Sequence, residues 1–217
     1  MYPSCEVRWF FSTAPEQLAA WFASKNMFFD GLSTPKRVDH YLLVANGKNI
    51  GIKLREGNIE AKQLIKVPGE WHFPELNTSG QIEHWIKWSF QLDEADVLSR
   101  QIIHEGQDKW IAVEKERLGY IYHFQENGAN SQVPMGEWVA EGCQVELTRI
   151  EIRGKTYQTF GLEAFSDSGQ MERNLKRGAE TVFPLLGQWC AKTENSPDGL
   201  GFSKACSMSY PAFLLSI

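Results

Sequence analysis

Tight-turn signals punctuate this chain at short intervals, and the segments between them are of strand length. Asn46-Gly47, Glu56-Gly57-Asn58 and Arg153-Gly154-Lys155 each supply residues that tolerate positive φ. The stretches they separate, 37–45, 50–55, 58–67, 143–152 and 156–165, are rich in β-branched and aromatic residues. Further extended stretches fall at 6–11, 84–91, 101–104, 110–118 and 119–125. Loops are expected at 68–82 (Pro68-Gly69, Pro74, Ser79-Gly80) and at 126–142. About ten strands in hairpin succession cannot be arranged as βαβ units, which alternate strands with crossover helices. The pattern predicts an all-β dominated (α+β) fold with peripheral helices, built as an antiparallel barrel or a strongly curved sheet.

Helices are expected in two main places. Thr13 and Glu16 have capping-box spacing with Pro15 in the first turn, and Leu18, Ala19, Trp21 and Phe22 share one face. From 168 to 186, Met171, Leu175, Ala179, Val182 and Phe183 recur at helical spacing. A short acidic-start helix is expected at 93–98. The tail, 187–217, has no clear pattern; Phe202, Tyr210 and Phe213 are its candidate apolar contacts, and they could close one mouth of a barrel. No composition shift marks a linker, so one domain over 1–217 is expected.

The chemistry is carried by basic residues two apart on strands. Lys53 and Arg55, and Lys115 and Arg117, each share a strand face; Lys62 and Lys66 form a looser pair. Several such strands curved into a barrel would build a cationic concavity suited to a small polyanion. The net charge of −5 carries no global basic field, so nucleic acid is an unsuitable partner and any anion affinity must be local. No apolar run reaches membrane-spanning length, and no leader pattern opens the chain. Four scattered cysteines without a CxxC pair suggest neither zinc nor disulfides, and a cytoplasmic location is the expectation. The five histidines share no catalytic spacing. Trp9, Trp85, Trp88, Trp110 and Trp138 are expected to pack the barrel wall against outer helices.

The order of these pieces resembles the CYTH, or triphosphate tunnel metalloenzyme, family. Glu6 falls on the first strand, followed by Asp39-His40-Tyr41-Leu42, Ile52-Lys53-Leu54-Arg55, Lys62 or Lys66, Glu114-Lys115-Glu116-Arg117, Val145-Glu146-Leu147 and Gly161-Leu162-Glu163-Ala164-Phe165. The resemblance spans residues 4–185. It implies an eight-stranded tunnel in which Lys53, Arg55, Lys62, Lys115 and Arg117 grip a triphosphate or nucleotide, while Glu6, Glu163 and Glu146 hold Mg or Mn.

The chain departs from the family's Glu-x-Glu-x-Lys strand: Arg8 stands for the second Glu and Phe10 for the Lys. On the last acidic strand Phe165 stands for a second acid. At about 4 Å, like charges repel by about 4 kcal/mol at an effective dielectric near 20, so Arg8 opposes a dication. The cations survive better than the acids. The sequence therefore points to polyanion binding at a degenerate metal site, with Glu6 and Arg8 expected to pair as ions. An active Mg- or Mn-dependent triphosphate hydrolase is one alternative. The other is a non-catalytic protein-interaction module whose barrel is filled by its own paired side chains.

Overall fold

A computed structural model describes residues 2–31, 35–93, 95, 97, 110–194 and 196–217. The strand expected at 101–104 lies outside the described residues, and so does the helix expected at 93–98 apart from 93, 95 and 97. The strands are β1 (Tyr2–Phe11), β2 (Arg37–Leu42), β3 (Ile50–Arg55), β4 (Asn58–Phe73), β5 (Thr78–Gln91), β6 (Trp110–Phe124), β7 (Asn130–Pro134), β8 (Glu141–Ile152), β9 (Lys155–Ser166) and β10 (Cys206–Ser207). The α-helices are α1 (Glu16–Ala23), α2 (Met171–Lys192) and α3 (Tyr210–Leu214).

Eight strands pair antiparallel in the order β1-β5-β4-β3-β2-β6-β8-β9, and β9 returns to β1 from Cys5 opposite Ala164 to Phe11 opposite Gln158. The barrel is closed, so its wall leaves no free edge. β7 adds to β6 beyond the barrel, and β10 pairs with Trp9 and Phe10 at the end of β1.

The expected loop at 68–82 is instead mostly strand. β4 continues to Phe73 and β5 starts at Thr78, with a 3₁₀ turn at Pro74–Leu76 and Asn77 at φ 45° between them. The pairing of β4 with β5 shifts register between Leu64 and Gly69. Pro68 and Gly69 thus belong to an irregular stretch of a strand, where a missing donor and a flexible backbone are tolerated. The two strands expected at 110–118 and 119–125 are one continuous β6, and the loop at 126–142 contains β7. Helix α1 starts at Glu16 with Pro15 at the N-cap and no side-chain cap bond, so the Thr13 capping box does not form.

The barrel wall separates two kinds of side chain. Outside, Cys5, Val7, Trp9 and Phe11 of β1 join Val145 and Leu147 of β8 and Phe160 and Leu162 of β9. They pack against Leu175, Val182 and Phe183 of α2 and Leu18 and Phe22 of α1. The main hydrophobic core therefore lies between wall and helices, and alternation sends the charged residues of the same strands inward. A second apolar cluster stoppers one end of the lumen. There Phe10 stacks on Phe213 (4.0 Å between centroids) and Tyr41 on Tyr210 (5.9 Å), with Val113, Ile150 and Ile152 around them. Of the three tail residues expected to close a mouth, Tyr210 and Phe213 do so, whereas Phe202 packs in the outer core against Trp9.

Candidate functional site

The lumen keeps a cavity of about 150 Å³. Eight cationic side chains line it: Arg8 from β1, Arg37 from β2, Lys53 and Arg55 from β3, Lys62 from β4, Lys87 from β5, and Lys115 and Arg117 from β6. Glu6, Glu60, Glu146 and Glu163 share that lining, while Asp39 and Glu83 are buried beside it. The five cations singled out in the sequence thus converge on one space, because strand alternation aims each at the same side of a closed sheet. Lys66 does not join them; it sits outside, 3.5 Å from Glu172 of α2.

Acids tie these cations into a network. Asp39, fully buried, lies 3.2 Å from Arg37 Nε, 3.3 Å from Lys53 Nζ and 3.2 Å from Lys115 Nζ. Burial pushes its carboxyl up, but Lys115, Lys53 and Arg37 outweigh that and hold it well below the usual range. Lys53 also meets Glu60 at 3.0 Å, and Arg55 pairs with the same carboxylate. Lys115 donates to Tyr41 Oη (2.6 Å) and lies 3.9 Å from the centroid of the Tyr210 ring. Burial drives the Lys115 ammonium well below its ordinary range, and Lys53, Arg37 and Arg117 add to the fall against the pull of Asp39. Arg37 is lowered by burial first and by Arg117 and Arg55 as well. These cations repel one another even with their acids in place.

Glu6 and Arg8 do not pair with each other. Arg8 Nη1 reaches Glu146 Oε1 at 2.7 Å, and Arg117 meets the other oxygen of Glu146 at 3.3 Å. Gly161 lies directly opposite Arg8 on β9. A Cβ there would lie 2.8 Å from Arg8 Cζ, so the glycine leaves the room in which the guanidinium lies across the strand toward β8. Burial raises the Glu146 carboxyl, but Arg8 and Arg117 bring it well below the carboxylate range. Glu6 instead accepts from Lys62 Nζ (3.0 Å), which also donates to Glu163 (3.2 Å). Among the described residues no cation is in contact with Glu83; its oxygens accept from Gln81 Nε2 (2.9 Å) and Trp85 Nε1 (3.0 Å). Burial first, and Glu6 next, push its carboxyl up to about 7.

Mg or Mn would need several carboxylates free to turn toward one point. Glu6 and Glu163 instead meet on an ammonium, and Glu146 is held between two guanidinium groups. Among the described residues no group of three His, Cys, Asp or Glu side chains is arranged to hold a metal. The acids as placed do not fit a divalent ion.

Arg37, Asp39, Tyr41, Glu60, Glu83, Lys87 and Tyr210 belong to the same constellation, although the basic-pair spacing did not mark them. Their signal was parity: 37, 39 and 41 alternate inward on β2, as 60 does beside 62 on β4. Trp85 lines the lumen rather than the outer core, and Trp138 is 79% exposed. No helix among the described residues is long and apolar enough to cross a membrane.

Two solved structures are similar to this chain at low identity. One is a protein assigned as an adenylate cyclase from Bacillus halodurans, 10% identical, with a TM-score of 0.40 over 85% of this chain and 92% of that one. The other is the S. pombe Pct1 RNA triphosphatase in complex with the Spt5 CTD, 10% identical, with a TM-score of 0.39 over 88% and 81%. The chain matches no family model and no curated protein.

Proposed function

We propose that the barrel binds a phosphorylated or otherwise polyanionic small molecule, such as a triphosphate or nucleotide, without efficient metal-dependent hydrolysis. The observation that carries this reading is the crowding of Arg37, Lys53, Arg55, Lys115 and Arg117 around one cavity, where burial first, and neighbouring cations as well, lower the proton affinities of Arg37, Lys53 and Lys115. A bound polyanion relieves that repulsion and gains charge-assisted hydrogen bonds from guanidinium and ammonium groups. Because Tyr210 and Pro211 line one end of the cavity next to the apolar stopper, the ligand enters from the end lined by Arg37, Arg55, Lys87 and Arg117.

A barrel filled by its own ion pairs, with partners on its outer surface, is the competing reading, and the acids between the cations favour it. Two single variants separate the readings. Arg55→Ala and Arg117→Ala should each weaken tripolyphosphate binding at least about tenfold while leaving the circular dichroism spectrum unchanged. Unaltered affinity in both variants would refute the tunnel assignment. Released phosphate should stay at the background rate with Mg or Mn present; saturable metal-dependent release would make the protein a hydrolase.

A further inference from the structure

The row of residues across β5, β1, β9 and β8 is Glu83, Glu6, Glu163 and Gln144, each directly opposite the next. Opposed side chains on a sheet face lie about 5 Å apart, so three adjacent carboxylates need a counter-charge. One is built in. Lys62 reaches over from β4 and places its Nζ 3.0 Å from Glu6 and 3.2 Å from Glu163, with the Trp85 ring 5.7 Å away. Burial lowers the Lys62 ammonium, but Glu163 and Glu6 outweigh that and raise it. Beside this row, Arg8 is drawn across Gly161 and holds Glu146 away at 2.7 Å.

We infer that the Lys62 ammonium is the resident counter-cation of the Glu6–Glu163 pair, standing where a divalent ion would have to bind, so that the lumen is a metal-free site. Combined with the proposed polyanion binding, on which this part rests, the inference narrows the ligand class: the barrel takes the free polyanion and not its Mg complex. Lysine and arginine supply all the positive charge, and a Mg-chelated phosphate would bring a dication toward Lys62 and Arg8. Mg should therefore weaken apparent binding of tripolyphosphate by sequestering it.

The direct test is titration of the apo-protein with Mn²⁺, followed by electron paramagnetic resonance of the free ion. Wild type should show no saturable site. Lys62→Gln should gain one, at least about tenfold tighter than anything in wild type, and Glu163→Gln added to it should remove that site. Saturable Mn²⁺ binding by wild type that Glu163→Gln abolishes would overturn the inference. So would a folded Lys62→Gln variant that fails to take the ion, since Lys62 would then not be what excludes it. Should Lys62→Gln fail to fold, wild type and the charge-keeping Lys62→Arg still decide, because both should be silent. Tripolyphosphate that fails to bind with or without Mg would remove the polyanion reading and leave the Mn²⁺ result standing.

Discussion

Charge placement inside this barrel is decided residue by residue. Glu146 is almost fully buried and has two guanidinium partners, of which Arg8 at 2.7 Å is the closer. Removing one partner of a buried pair strands a charge in low dielectric. Arg8→Met should destabilise the protein by about 3 kcal/mol in urea denaturation. The double variant Arg8→Met, Glu146→Leu should recover most of that loss. Glu83 makes an opposite prediction. Its carboxyl is raised from 4.5 to about 7, so between those values the folded state keeps a proton that the unfolded chain has released. Stability therefore falls as pH rises through that window and stays reduced above it. Glu83→Gln should stabilise the protein at pH 8 by on the order of 2 kcal/mol and change little at pH 4. An equal effect at both pH values would show that Glu83 is ionised throughout. At this scale the inward cations were legible because a spacing of two fixes their face. Their partners were not: Arg8 and Glu6 share a strand face, yet Arg8 lies over the glycine of the neighbouring strand and pairs with Glu146.

Elements were legible where local signals agreed with tertiary context. β3, β8 and β9 fall close to their expected bounds because glycine-containing turns delimit them on at least one side. The β4–β5 hairpin was cut short because Pro68, Gly69 and Gly80 look like loop residues. Gly80 in fact serves packing: a Cβ there would lie 2.4 Å from Val7 and 2.6 Å from Trp9. The tail lacked any periodic signal since α3 spans only Tyr210–Leu214 and depends on its seat in the barrel mouth. That seat also holds Phe10, which stacks on Phe213 at 4.0 Å. Phe213→Ala should cost about 3 kcal/mol in denaturation, through lost burial and the cavity left behind. A loss under about 1 kcal/mol would mean that α3 rests loosely on the mouth.

Across the whole molecule, one alternating pattern serves two interiors. The outer faces of the strands join α1 and α2 in the apolar core, and that core stabilises the wall. The lumen is thereby freed from a packing role and can hold eight cations around a cavity, at the expense of buried acids that keep them in place. An antiparallel barrel or strongly curved sheet was readable from strand count and turn chemistry; closure into a tunnel was expected only from the family resemblance. Which end is stoppered, and how completely acids pair the cations, depend on contacts between residues far apart in sequence, such as Tyr41 with Tyr210 and Lys62 with Glu163. The most direct test of the lumen as an anion site is calorimetric titration of wild-type protein with tripolyphosphate in the presence of EDTA. Saturable binding near one ligand per chain, weakening as salt is raised, is the expected result. Heat no greater than dilution would contradict it and leave a barrel filled by its own ion pairs.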